Sequence, residues 1–158
     1  MTSERWRRLF TPHPDIQATL SAKPDEYSPI ISRSRMASLR YALAGWLHML
    51  RYQKNVRIQA IATILVFAVG LWLALPPISW AVLIMMICMN WMAEFFNAAL
   101  EAVVNLASPE IHPMARVAKD VAAATALLAA VASAIVGALV MGPPLLERVI
   151  PWLMHTLH

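Results

Sequence analysis

The chain has 158 residues, of which 59% are hydrophobic and 14% charged, and its formal net charge is +4. A charged fraction well below the roughly 25% of soluble domains indicates an integral membrane protein, and the length leaves room for one small domain. Because the basic residues concentrate outside the apolar runs, they favour anionic lipid headgroups as partners over nucleic acid. One cysteine, Cys88, cannot build a disulfide or a thiolate metal framework.

In chain order, residues 1–33 are predicted to be a disordered, basic, proline-containing tail without periodicity. From Ser34 to Lys54, apolar residues such as Leu39, Leu43 and Trp46 recur at helical spacing with basic residues between them. This pattern predicts an amphipathic helix lying in the membrane surface. Packing of that helix against a neighbouring helix is the alternative.

Three apolar segments follow at residues 56–75, 80–104 and 121–141, and each is long enough to cross the hydrocarbon core. The third is expected to end before Gly142-Pro143-Pro144, which leaves residues 142–158 as a C-terminal extension. The expected fold is therefore all-α, with three transmembrane helices plus the surface helix. Basic residues cluster in the N-terminal region and between the second and third spans, so the N-terminus is predicted to be cytoplasmic.

A polar stripe interrupts the second apolar segment. At about 100° per residue its members fall within roughly 80° of one another on a helix. They are Asn90, Glu94, Asn97, Glu101 and Asn105. An acid in the middle of a membrane helix costs about 2.5 kcal/mol or more, which makes the stripe a candidate functional site. A polar seam that joins neighbouring helices is the alternative.

The polar residues suggest phosphoryl transfer to a lipid alcohol. Glu94 could act as a general base for a lipid hydroxyl, and Glu101 could hold a divalent cation. Lys119 and Arg116 could neutralise phosphate oxygens. Lys119 and Asp120 could instead be a solvated pair at the start of the third helix, where an aspartate favours the helix dipole.

The ordered polar positions resemble the prokaryotic diacylglycerol kinase/undecaprenol kinase family, whose pattern is E-x-x-N-x-x-x-E-x-x-x-D, a short loop with histidine, then A-K-D. This chain has the run that begins at Glu94 and continues EFFNAALEAVVN, then SPEIHP, then AKD ending at Asp120. The run NVRIQ from Asn55 is similar to the opening of the family's first span. The resemblance covers about residues 35 to 141.

The resemblance implies a homotrimeric kinase of the bacterial inner membrane that transfers the ATP γ-phosphate to a lipid alcohol, with Mg²⁺ and with active sites shared between subunits. It implies that Glu94 is the catalytic base and that Glu101 and Gln53 bind the metal. Contacts to ATP are implied for Tyr41, Gln53, Glu101, Glu110, His112, Lys119 and Asp120. Contacts to the lipid substrate are implied for Arg57, Trp72, Glu94 and Asn97.

Two positions depart from the family's pattern. Gln53 stands where a second metal-binding glutamate is common, and Asn105 stands where the motif has an aspartate. A neutral amide oxygen can still ligate a hard cation, but we expect lower metal affinity. The alternative function is therefore a weak or inactive family member that acts as a membrane lipid-binding or assembly protein. Diacylglycerol and undecaprenol both remain candidate substrates, and the loop from Ser108 to Pro113 resembles the undecaprenol kinase branch more closely.

Overall fold

A computed structural model of the chain describes residues 34–108 and 112–156. These residues form four helices, α1 (Arg35–Tyr52), α2 (Lys54–Trp72), α3 (Pro77–Ala107) and α4 (Pro113–Thr156), with no strand among them. The expected all-α fold is thus confirmed. The chain divides into two compact units, residues 1–45 and 46–158, and the boundary falls within the sequence of α1. The predicted tail, residues 1–33, lies outside the described residues.

Three of the helices are long and apolar enough to cross a membrane, as the sequence predicts. Helix α2 has 19 residues, α3 has 31 and α4 has 44. At about 1.5 Å per residue they measure roughly 28, 46 and 66 Å, against a hydrocarbon core of about 30 Å. Helices α3 and α4 are therefore long enough to extend into the headgroup region. Helix α1 matches the predicted amphipathic segment in extent, and its place in the membrane surface stays a prediction.

A tight turn reverses the chain between α2 and α3. Ala74 adopts a left-handed conformation with φ 53°. Its N–H donates to the carbonyl of Leu71 at 3.1 Å, and the N–H of Leu75 donates to the carbonyl of Gly70 at 3.2 Å. This pair of bonds is the Schellman motif, which satisfies the last carbonyls of a helix. Pro76 follows directly, and Pro77 occupies the first position of α3, where the missing N–H costs nothing.

Gly70 allows close packing beside this turn. A Cβ at that position would lie 2.8 Å from Cη2 of Trp80, too close for any side chain without a shift. The Trp80 ring is itself stacked on Phe67, with centroids 5.3 Å apart. The absence of a side chain at residue 70 therefore lets α2 approach α3 at this end. The buried apolar cluster next to the turn consists of Leu73, Leu75 and Leu83.

Helix α3 packs most extensively against α4 and also contacts α2. A polar bond joins each pair. Trp91 Nε1 on α3 donates to Thr63 Oγ1 on α2 at 3.1 Å, and Ser133 Oγ on α4 donates to the Met86 carbonyl on α3 at 3.2 Å. Side-chain hydrogen bonds of this kind hold helices together in lipid.

Helix α4 differs from the expected third span, because it begins at Pro113 and continues through Pro143, Pro144 and Pro151. The expected end at residue 141 is not the end of a helix. Consecutive prolines leave the carbonyls of residues 139 and 140 without their helical N–H donors. The helical bonding of the residues on both sides nevertheless continues through the two prolines. The division of the chain at residue 142 remains a prediction.

Candidate functional site

The polar stripe lies on α3, and its members differ sharply in exposure. Glu94 is buried, with 6% of its surface exposed. Among the residues that the structure describes, it is the one charged residue that is buried. Asn90 and Asn97 are half-buried, and Glu101 and Asn105 are exposed near the end of the helix. The stripe therefore runs from the bundle interior at Asn90 and Glu94 to an accessible surface at Asn105.

Lys119 of α4 reaches the exposed end of this stripe. Its Nζ donates to Asn105 Oδ1 at 2.9 Å and lies 3.8 Å from Glu101 Oε1. The Lys119 and Glu101 side chains are 37% and 49% exposed. We call Glu101, Asn105 and Lys119 the α3–α4 polar cluster. It places one ammonium group beside a carboxylate and an amide oxygen. Along α3, Glu101 and Asn105 lie about 10 and 16 Å from Glu94 at 1.5 Å per residue.

The first turns of α4 carry further predicted nucleotide ligands. His112 Nδ1 accepts a hydrogen bond from the Met114 N–H at 3.2 Å, so this ring caps the helix that begins at Pro113. Asp120 Oδ2 lies 3.8 Å from Arg116 Nε, one turn away, and both side chains are largely exposed. Asp120 is thus next to the polar cluster in sequence but pairs with Arg116. Glu110 lies outside the described residues.

Two predicted residues lie at the start of α2. Gln53 is half-buried and precedes the helix as its N-cap, without a capping bond from its side chain. Arg57 is exposed, and its Nη1 donates to the Arg51 carbonyl at 2.8 Å. Tyr41, in the first compact unit, is exposed on α1.

The structure does not bring the predicted lipid-contacting residues Arg57 and Trp72 together. They lie at opposite ends of α2, about 22 Å apart for 15 residues at 1.5 Å each. Trp72 instead packs under the Arg148 guanidinium of α4, whose Cζ is 5.2 Å from the ring centroid. If both residues contact a lipid, they contact parts of it at different depths.

The donor set fits a magnesium ion held by few protein ligands. Within residues 34–108 and 112–156, no three His, Cys, Asp or Glu side chains come together. Mg²⁺ commonly uses one or two carboxylates together with substrate phosphates and waters, and the exposed carboxylate of Glu101 is a ligand of that type. Asn105 Oδ1 adds a neutral oxygen on the same face, although Lys119 occupies it here.

Several polar and aromatic residues that the structure groups around α3 were not predicted from the sequence to belong to a site. Thr63 bonds Trp91, and Gln59 lies one turn before Thr63 on α2. Their spacing of four residues within an apolar segment is the signal that could have found them. Trp46 and Trp91 also lie in contact, with ring centroids 4.7 Å apart. A cleft of about 400 Å³ beside them is lined by Trp46, Trp91, Met92, Phe95, Phe96 and Ala99.

Comparison with known proteins gives the family. Residues 40–141 match the family model described as prokaryotic diacylglycerol kinase. The chain belongs to this family. It is 35% identical over 137 residues to a diacylglycerol kinase of Synechocystis sp., a match that covers 82% of this chain and 78% of the relative. It is 34% identical over 95 residues to an undecaprenol kinase of Bacillus subtilis, with 60% and 77% covered.

Membership of the prokaryotic diacylglycerol kinase family confirms two expectations from the sequence. The enzyme class is lipid kinase, and the protein is a multi-pass membrane protein. The matched region includes α2, α3 and the α3–α4 polar cluster, together with most of α4 before its prolines.

Proposed function

We propose that this lipid kinase transfers the γ-phosphate of ATP to the hydroxyl of a membrane lipid alcohol, either diacylglycerol or undecaprenol. The observation that carries the proposal is the geometry of α3. A buried carboxylate, Glu94, lies about 10 to 16 Å along one helix from an exposed cluster that can hold phosphate and a cation. This arrangement supports a base at the depth of a lipid hydroxyl, with phosphate-binding groups at the water-accessible end.

In the proposed reaction the Glu94 carboxylate takes the proton of the lipid hydroxyl as the lipid oxygen bonds to the γ-phosphorus. The bond from that phosphorus to the β,γ-bridging oxygen breaks, and ADP leaves. Asn97 lies three residues from Glu94 on the same stripe and orients the base or the acceptor. Removal of the proton by a positioned base is the general-base contribution that such a residue makes.

Lys119 supplies positive charge to the phosphates. The further nucleotide contacts are Asp120, Tyr41, Gln53, Glu110 and His112. Mg²⁺ bound through Glu101 and Gln53 would neutralise the charge on the β- and γ-phosphate oxygens. Arg57, Trp72, Glu94 and Asn97 contact the lipid. Because the exposed acids within residues 34–108 and 112–156 are few and separate, we infer that the working site is completed by neighbouring subunits of a homotrimer.

We further propose that the protein lies in the bacterial inner membrane with its N-terminus in the cytoplasm. Basic side chains are frequent around α1 and the start of α2, and they would contact anionic lipids of the inner leaflet. They are Arg35, Arg40, Arg51, Lys54 and Arg57. In this orientation the α3–α4 polar cluster faces cytoplasmic ATP.

A weakly active or inactive member that binds lipid or assembles in the membrane is the second candidate. It is favoured by the neutral residues Gln53 and Asn105, which remove two negative charges from the family's pattern. One contact supports the active kinase instead. The Asn105 amide oxygen accepts the Lys119 hydrogen bond at 2.9 Å, so it retains the lysine-anchoring contact that an aspartate would make.

Transfer of labelled γ-phosphate tests the proposal. The purified protein in mixed micelles with Mg-ATP is offered diacylglycerol and undecaprenol in parallel reactions. Labelled lipid that depends on both ATP and magnesium would support the kinase and identify its preferred substrate. A folded, homogeneous protein that labels neither lipid at saturating magnesium would favour the second candidate. Restoration of labelling by Gln53→Glu with Asn105→Asp would then assign the loss to these two positions.

A further inference from the structure

A cavity of about 210 Å³ lies inside the helix bundle. All three membrane-spanning helices contribute to its wall, and its lining is mainly apolar with a few polar side chains. The polar members are Gln59 and Thr63 of α2, Asn90 and Trp91 of α3, and Ser133 of α4. No carboxylate is among the lining residues that the structure describes.

Two of these polar groups have unmet hydrogen-bonding capacity. Gln59 Oε1 and Asn90 Oδ1 are buried, and neither has a hydrogen-bond partner among the described residues. Thr63 and Ser133 are engaged with Trp91 and with the Met86 carbonyl, respectively. Burying an amide in an apolar medium without a compensating bond costs roughly 2–7 kcal/mol, and the hydrocarbon core offers no water to reduce that cost.

The chemistry of the wall restricts what can satisfy these oxygens. Both Gln59 Oε1 and Asn90 Oδ1 are acceptors, so the ligand must donate hydrogen. Among the described residues, no carboxylate lines the cavity to balance the charge of a cation, since Glu94 lies a further turn along α3 beyond Asn90, and this makes a buried charged ligand unfavourable. A neutral hydroxyl donor remains. The volume suffices for several waters at about 30 Å³ each, or for a lipid hydroxyl with a few attached carbons.

We propose that this cavity is a hydroxyl-binding site within the bundle, in which water or the hydroxyl of a lipid headgroup donates to Gln59 and Asn90. Asn90 lies one helical turn, about 6 Å, from Glu94 along α3. The site is thus separate from the α3–α4 polar cluster and lies on the membrane-interior side of the buried acid. Only the lipid source of the hydroxyl rests on the proposed kinase function.

Thiol reactivity tests the site without relying on kinase activity. A thiol reacts as its thiolate, which forms where the sulfur is hydrated. In a Cys88→Ser background, Ser133→Cys places a thiol in the cavity wall and Ile135→Cys places one on the exposed apolar face of α4. We expect the cavity thiol to react with methyl methanethiosulfonate about tenfold faster or more, as followed by intact mass. Ala130→Cys, also in the wall, is the second probe position.

Removal of the amides provides the decisive comparison. Gln59→Met with Asn90→Leu keeps the side-chain volumes similar and removes both acceptors. It should lower the rate of the cavity thiol to that of the Ile135→Cys control. Asn55→Leu, an exposed amide at the start of α2, is the matched control and should leave the rate unchanged. Two results would overturn the proposal. One is equal modification rates for the cavity thiol and the outer-face thiol, and the other is an unchanged modification rate of the cavity thiol after both amides are replaced.

Added lipid then identifies the source of the hydroxyl. Saturating diacylglycerol or undecaprenol that protects the cavity thiol, with a KM for that lipid raised by Asn90→Leu, would assign the site to a lipid hydroxyl. A cavity thiol that is modified rapidly and that neither lipid protects would assign the site to water. Because reactivity is measured without ATP, an inactive kinase with a reactive cavity would refute the proposed function and leave this inference standing.

Discussion

Replacing Glu94 by glutamine separates the proposed catalytic role of this carboxylate from any structural one. The substitution keeps the shape of the side chain and removes its charge. A general base contributes about 10²- to 10⁴-fold to a rate, so kcat for lipid phosphorylation should fall by that factor. Glu94 is 6% exposed, and an acid at membrane depth costs about 2.5 kcal/mol or more. The free energy of unfolding should therefore be unchanged or rise by up to about 2 kcal/mol.

The assay pairs kinetics in mixed micelles with unfolding in increasing dodecyl sulfate. Glu147→Gln, the same change at an exposed position of α4, is the control and should alter neither quantity. A Glu94→Gln protein that keeps kcat within about threefold of the original would refute Glu94 as the base. A loss of about 2 kcal/mol or more in unfolding free energy would show instead that the carboxylate holds the bundle together.

Three further predictions concern contacts at both ends of the bundle. Lys119→Met removes the 2.9 Å bond to Asn105 and should lower kcat/KM for ATP about tenfold or more, with little change in Tm. An unaltered kcat/KM would show that Lys119 is not part of the nucleotide site. Ala74→Gly relieves the left-handed conformation at φ 53° and should raise unfolding free energy by about 0.5–1 kcal/mol, and no gain in detergent unfolding would contradict this. Arg148→Gln should lower the free energy of unfolding by about 0.5–1 kcal/mol, because the contact with Trp72 is lost. In a double-mutant cycle with Trp72→Leu, the losses of the two single variants should not be additive.

The spans and the polar stripe could be predicted from the sequence because each depends on local periodicity. A run of about 20 apolar residues indicates a crossing helix whatever surrounds it. The stripe from Asn90 to Asn105 follows from helical spacing alone, and the structure places it on one continuous helix. On this helix Glu94 is buried and Glu101 is exposed.

Contacts between helices could not be read from the same pattern. The bond from Lys119 to Asn105 depends on how α4 packs against α3, and the two residues are 14 apart in sequence. The cavity beside Gln59 depends on the packing of three helices. Local breaker rules also failed at Pro143 and Pro144, through which α4 continues as a helix.

The contacts of Lys119 show how this proposed phosphate-binding group is held in the absence of a nucleotide. Its ammonium group is bound to Asn105 and lies near Glu101, but these side chains are substantially exposed, so the ion pair contributes only about 0.2–1 kcal/mol. Hydrogen bonds to charged groups contribute roughly 1.5–3 kcal/mol, and a phosphate offers several acceptors. The proposed transfer of Lys119 to a phosphate would exchange one amide oxygen and one carboxylate oxygen for several phosphate oxygens. That transfer would also free Glu101 Oε1 and Asn105 Oδ1, the oxygens best suited to a cation arriving with the nucleotide.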